Sequence, residues 1–181
     1  MTAPSLRIPT VPDEQLASPE VLSALRKRRG GELLNLDRLL LQSPNYAIGW
    51  NGFLGAVRTG LTLDARLREL VICAVAVLNR ADYEMLQHAP LFLECGGTQA
   101  QLDALVQFDA ALQDEALFTE LDRSALQLTY EMSRNVQVSD ACYARLRSSL
   151  PVPQQQVELV GVIAAYNMVS RFLEALQVQP E

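Results

Sequence analysis

Asp64-Ala65-Arg66-Leu67-Arg68-Glu69-Leu70-Val71-Ile72-Cys73-Ala74-Val75-Ala76-Val77-Leu78-Asn79-Arg80-Ala81-Asp82-Tyr83-Glu84-Met85-Leu86-Gln87-His88 is the stretch that decides how this chain folds. Nearly every position from Leu70 to Leu78 is apolar, so the segment is a central element enclosed on most sides. Its β-branched content keeps a buried strand as a rival. Its length and the charged lead-in Arg66-Leu67-Arg68-Glu69 favour a helix over 65–78, capped by Asp64. A short turn at Asn79-Arg80-Ala81 leads into a second helix, Asp82 to Glu94, closed by Gly96-Gly97. Pro90 lies inside that helix and is expected to bend it.

The same reading extends outward in both directions. Ser18-Pro19-Glu20 pairs a capping hydroxyl with a proline at the first helical position and opens a helix that stops at Gly30-Gly31. Asn35 to Leu41 is a short apolar helix ended by Ser43-Pro44. Tyr46 to Arg58 follows, with Trp50, Phe53, Leu54 and Val57 three and four apart. Beyond the central hairpin, Thr98 caps Gln101 to Phe108, and further helices cover Glu120 to Arg134, Ser139 to Leu150 and Gln154 to Leu176. The fold class is therefore all-α. The expected organisation is an N-terminal extension over 1–17 and one helical domain over 18–181, its first half at about 33–110 and its second at about 118–177. A weak internal repeat supports two halves: Leu61, Glu69-Leu70-Val71 and Tyr83 recur at the spacing of Leu150, Glu158-Leu159-Val160 and Phe172. It implies a duplicated helical hairpin in which Gln177 takes the place of His88.

Composition narrows the function. With 49% hydrophobic and 20% charged residues the chain can bury a core, and 21 acidic against 15 basic residues argue against non-specific nucleic-acid binding. The one compact basic run, Arg26-Lys27-Arg28-Arg29, is expected to complement the end of its helix. The cysteines Cys73, Cys95 and Cys142 form no Cys-x-x-Cys pair and no disulfide or zinc framework. No apolar secretory core opens the chain and no uncharged segment reaches membrane-spanning length, so the expected address is the cytoplasm, with no membrane partner. No metal or cofactor is called for by the residues.

His88 is the only histidine, and histidine is the side chain that ordinarily changes its proton near neutral pH. Glu69 lies about nine residues before the turn and His88 about eight after it, so antiparallel packing at roughly 1.5 Å per residue sets them opposite each other. A carboxylate that accepts the imidazole N–H fixes the tautomer and raises basicity. Glu84, one turn before His88, is placed to reach the same ring, and Tyr83 supplies a hydroxyl nearby. The candidate catalytic residues are thus His88, Glu69, Glu84 and Tyr83. The structural alternative is a packing cluster in which His88 is a satisfied core residue and Glu69 pairs with Arg66 or Arg80.

Arg68-Glu69-Leu70-Val71, Tyr83-Glu84-Met85-Leu86-Gln87-His88-Ala89-Pro90 and Gly96-Gly97-Thr98 resemble the carboxymuconolactone decarboxylase/alkylhydroperoxidase-D-like superfamily. Val157-Glu158-Leu159-Val160 and Tyr166 to Phe172 look like the second half of its longer members, so the resemblance covers about 33–176. It implies an alkylhydroperoxidase-D-like helical bundle that assembles into dimers, trimers or hexamers. In the peroxidase branch a Cys-x-x-Cys pair precedes the histidine, and here those positions match Ala81 and Glu84, which cannot cycle through thiolate and disulfide. The resemblance therefore favours the decarboxylase branch. It implies a cofactor-free lyase or isomerase acting on a small carboxylated lactone or carbonyl compound, with Arg66, Arg68 or Arg80 compensating the acidic centre. The alternatives are a thiol antioxidant using Cys95 or Cys73, and a non-enzymatic helical oligomer. Wide apolar coverage on 46–57, 70–78 and 157–176 makes homo-oligomerisation the expected partnership.

Overall fold

The computed structural model describes residues 7–9 and 11–181, and among them every regular element is an α-helix. In chain order these are α1 (Asp13–Leu16), α2 (Pro19–Arg29), α3 (Asn35–Leu41), α4 (Pro44–Thr59), α5 (Ala65–Asn79), α6 (Asp82–Glu94), α7 (Gln99–Leu105), α8 (Phe108–Ala111), α9 (Glu120–Arg134), α10 (Asp140–Ser149) and α11 (Pro153–Leu176). The helix reading of 65–78 holds and the strand alternative falls. Residues 1–6 and 10, part of the expected N-terminal extension, lie outside the described residues. Residues 13–16 of that stretch form α1, which buries Leu16 and pairs Asp13 with Arg26 and Arg38 at 2.8 Å each.

Helix α5 is the axis of the molecule, packed against α6, α9 and α11. Its residues from Leu70 to Val75 are fully enclosed, as a stretch apolar on all sides requires. Asp64 caps it by accepting the Leu67 N–H at 2.9 Å. Arg80 closes it in the left-handed region at φ 55°, and the Ala81 N–H returns to the Ala76 carbonyl at 2.9 Å. The Asn79 side chain then ties this turn to α11, donating to Asn167 Oδ1 at 3.0 Å and Ser170 Oγ at 2.7 Å. The α5–α6 hairpin is thereby fixed at its tip as well as along its length.

Several local expectations are corrected. Ser18 makes no side-chain cap to α2, which starts on Pro19 alone. The basic run does occupy the last turn of α2, and three of its members are also paired with carboxylates: Arg26 with Asp13, and Arg28 and Arg29 with Asp37. Helix α4 begins at Pro44, two residues before the expected start, because proline suits the first turn. The helix expected over 101–108 ends at Leu105, and Phe108 opens the separate short α8. The duplicated hairpin is also corrected in its second half. Glu158 and Phe172, the counterparts of Glu69 and Tyr83, lie on the one continuous helix α11, with no turn between them. Glu158 instead accepts the Thr62 and Leu63 N–H groups at 2.9 and 2.8 Å, fastening α11 to the entry of α5. By length and composition α11 is apolar enough to cross a membrane, but Leu159, Val162, Ile163, Tyr166 and Leu173 are buried in the core, which accounts for that character.

Candidate active site

Glu69 on the second turn of α5 and His88 on α6 meet as the hairpin register requires. The distance from His88 Nδ1 to Glu69 Oε2 is 2.7 Å, and the two residues are 7% and 2% exposed. The second carboxylate oxygen, Oε1, accepts from Arg68 Nε at 3.0 Å. The structural alternative named the wrong cations: Arg66 turns away to Asp122 at 2.6 Å, and Arg80 caps α5.

Burial pushes the Glu69 carboxyl up, but the hydrogen bond from His88 and the hydrogen bond and charge of Arg68 oppose it and hold the group below its ordinary value. Burial also lowers His88, against the opposing pull of Glu69, so the ring is held below the usual histidine value. The resting pair is accordingly an ionised Glu69 and a neutral imidazole whose Nδ1–H donates to it. That tautomer leaves a lone pair on Nε2. Among the described residues only the two Glu84 oxygens are fully enclosed without a partner, so Nε2, which has no protein partner, is open to the adjoining cavity.

That cavity has a volume of about 240 Å³ and takes its polar wall from Arg29, Arg58, Arg68, Glu69, Glu84 and His88. Its size is below the roughly 300–1,000 Å³ of sites for drug-sized ligands, which restricts it to small molecules. Tyr166 of α11 backs the histidine, edge-on at 4.8 Å between ring centroids, and its hydroxyl accepts from Arg58 Nε at 3.0 Å. Two of the guanidinium groups already have anions: Arg29 is bound to Asp37 through two contacts of 2.8 Å, and Arg68 to Glu69. Arg58 has no carboxylate partner among the described residues and keeps its terminal N–H groups for the cavity.

The other two candidates behave differently from expectation. Glu84 is 1% exposed and makes no hydrogen bond to His88 or to any other described residue. The ring is turned toward α5 by its bond to Glu69, so the carboxyl one turn earlier has nothing to donate to it. Burial raises Glu84 well above the ordinary carboxylate value, with Arg58 opposing only partly, which favours its protonated form. Tyr83 lines the cavity, but its hydroxyl donates to Glu181 Oε1 at 3.0 Å.

Sequence reasoning missed Arg58, Arg29 and Tyr166. Arg58 lies four residues after Leu54 on the buried stripe of α4 that also contains Ala47 and Trp50, and a cation ending such a stripe was the available signal. The thiols have no place in the centre. Cys73 is fully enclosed and pushed up to about 12 by burial, Cys142 is buried and raised to about 11, and Cys95 does not line the cavity. Among the described residues no group of three or more His, Cys, Asp or Glu side chains is arranged to hold a metal ion.

A buried carboxylate–histidine pair at the wall of a small cavity, carried on a helical hairpin inside an all-α bundle, defines a class of protein. Residues 44–127, which hold Arg58, Glu69, Glu84 and His88, match the model of the carboxymuconolactone decarboxylase family. Over that stretch the chain is similar to this family, and its all-α fold agrees with the likeness. Solved structures of the same fold include a peroxidase-related protein from Silicibacter sp. TM1040, 18% identical, with a TM-score of 0.78 over 98% of this chain and 95% of that one. A second, described as an alkylhydroperoxidase AhpD core from Ralstonia eutropha JMP134, is 15% identical, with a TM-score of 0.81 over 99% and 94%. A third is the debrominase Bmp8 in complex with 2,3,4-tribromopyrrole, 15% identical, with a TM-score of 0.79 over 98% and 92%. At these identities the likeness is one of fold. No curated protein matches the chain in sequence.

Proposed function

We propose that this protein is a cofactor-free proton-transfer enzyme, a lyase or isomerase acting on a small carboxylated lactone or carbonyl compound, with His88 as the base and Glu69 as its positioning residue. The observation that carries the reading is the 2.7 Å bond from His88 Nδ1 to Glu69 Oε2, made at the wall of a cavity to which Nε2 is open. A neutral imidazole so oriented accepts a proton from carbon, and Arg58, the one wall cation without a carboxylate partner among the described residues, can hold a carboxylate or developing enolate. Similarity to the carboxymuconolactone decarboxylase family over residues 44–127 supports the scaffold, and a fold neighbour that holds a small brominated ring supports a small ligand. Thiol peroxidase activity is disfavoured, because Ala81 and Glu84 stand at the positions of the cysteine pair and Cys73 is not a thiolate at neutral pH.

The test is solvent-deuterium incorporation into small carbon acids, followed against pH. Incorporation is expected to fall on acidification with an apparent pKa below the usual histidine value, since His88 is competent only when neutral. A rate with no acidic limb at any pH at which the protein stays folded would count against His88 as the base.

Self-association belongs to the same reading. Tyr46, Ile48 and Phe53 of α4 and Val157 and Met168 of α11 are between 37% and 71% exposed, apolar surface that a second copy of the chain would cover. Sedimentation is expected to give a homo-oligomer; a concentration-independent monomer would remove this part of the proposal.

A further inference from the structure

Glu84 is the unexplained group of the cavity. It lines the wall beside His88 and Arg58, is 1% exposed, and both of its carboxyl oxygens are buried with no hydrogen-bond partner among the described residues. A buried carboxyl without a partner is destabilising, whether charged or neutral, and a group kept in that state is most simply accounted for by a ligand that supplies the missing bond. The groups that face it come from every neighbouring element: Arg58 from α4, Glu69 and Cys73 from α5, Tyr166 and Glu174 from α11, and His88 from its own helix. None of them is bonded to it.

Building on the proton-transfer reading above, we propose that Glu84 is the acid of this site: it donates its proton to the carbonyl oxygen of a small oxo acid whose carboxylate is held by Arg58, while His88 takes the proton from the adjacent carbon. The atoms balance without any further reactant. The C–H bond breaks toward His88 Nε2, its electron pair forms the carbon–carbon double bond, and the carbonyl π pair takes the Glu84 proton to give an enol. Glu84 is left as a carboxylate beside Arg58, and His88 as an imidazolium beside Glu69. The reverse transfers return a proton to the same carbon or to a conjugated one, and both residues are reset. Nothing is oxidised or reduced. A carboxylic acid and a neutral imidazole on one wall supply the acid and the base that concerted enolisation requires.

The full chain and its Glu84→Gln, Glu84→Met and His88→Gln variants are compared in two measurements. The first is deuterium incorporation from solvent into pyruvate and acetoacetate. Glu84→Gln keeps a hydrogen-bond donor but cannot pass on a proton, and is expected to lose about tenfold or more in rate together with the alkaline limb of the wild-type pH profile. The second is the thermal midpoint without ligand, expected to rise by a few degrees in Glu84→Met as an unpartnered polar group leaves the interior. A fall of that size in Glu84→Met would mean that the carboxyl holds the fold together, and would overturn the proposal. So would a Glu84→Gln rate equal to wild type, or a wild-type protein that labels neither oxo acid. If His88→Gln abolishes labelling while Glu84→Gln does not, the acid role falls and the base role stands. If Glu84→Gln loses labelling while His88→Gln retains it, the base role falls and the acid role stands.

Discussion

Glu69→Gln is expected to lower the proton-transfer rate by about 100-fold or more while the chain stays folded. The carboxylate at this position is met by two donors, His88 Nδ1–H on Oε2 and Arg68 Nε–H on Oε1. An amide has one acceptor and one donor end, so it can satisfy only one of the two and must set its NH₂ group against the other. If the amide oxygen stays with Arg68, the NH₂ faces the ring and reverses the tautomer, placing the proton on Nε2 where the base needs its lone pair. If the oxygen stays with His88, the Arg68 guanidinium loses its anion at the cavity wall. In either arrangement the charge that stabilises the imidazolium is gone. Because Glu69 raises the His88 pKa against burial, its loss is also expected to move the acidic limb of the pH–rate profile to lower pH. The shift of that limb is the decisive measurement, since a carboxylate with a merely structural role would change stability and leave the profile in place. A Glu69→Gln protein with wild-type rate and profile would sink the relay.

The hairpin and its polar pair were legible in the sequence for a mechanical reason. A two- or three-residue turn between helices of about equal reach fixes an antiparallel register, and 1.5 Å per residue then sets Glu69 opposite His88. What surrounds the pair was not legible in the same way. Arg58 and Tyr166 come from α4 and α11, far from His88 in the chain, and their bond of 3.0 Å depends on how those helices cross α5. The isolation of Glu84 was likewise hidden. Spacing alone lets residues 84 and 88 meet on one helix face, and only the competing bond to Glu69 turns the ring away. The repeat was real as a pattern of residues and misleading as a hairpin. Where Arg80 takes the left-handed conformation that ends α5, the second copy offers Val169, a core residue of a helix that simply continues. Spacing pointed to Arg66, Arg68 or Arg80 as the cations beside the acidic centre, whereas the one wall cation without a carboxylate partner among the described residues is Arg58, from another helix.

Asp37→Ala is expected to destabilise the protein by about 2–3 kcal/mol and to loosen one wall of the cavity. Asp37 is 1% exposed and collects four donors: Arg29 Nε and a terminal Arg29 nitrogen at 2.8 Å each, an Arg28 nitrogen at 3.4 Å, and the Leu34 N–H at 3.1 Å. Removing one partner of a wholly buried ion pair costs roughly 3–5 kcal/mol. Here the arginine side chains are 37% and 20% exposed, so water takes up part of what they lose and the lower figure applies. At this chain length that corresponds to a drop of roughly 5–10 °C in the thermal midpoint. The position of α2 is at stake as much as the global stability, because Asp37 joins the end of α2 to the start of α3. Both Leu34 and Leu36 line the cavity alongside Arg29. Backbone amides of α2 and the first turn of α3 are therefore expected to exchange with solvent faster than those of α5. Asp37→Asn separates the two contributions: its amide oxygen can still cap the Leu34 N–H, while the charge facing two guanidinium groups is lost. If the ion pair dominates, Asp37→Asn falls close to Asp37→Ala; if the cap dominates, it falls close to wild type. An Asp37→Ala protein with unchanged midpoint and unchanged α2 exchange would show that α2 is held by its other ties, the buried Leu22 and the Arg26–Asp13 pair.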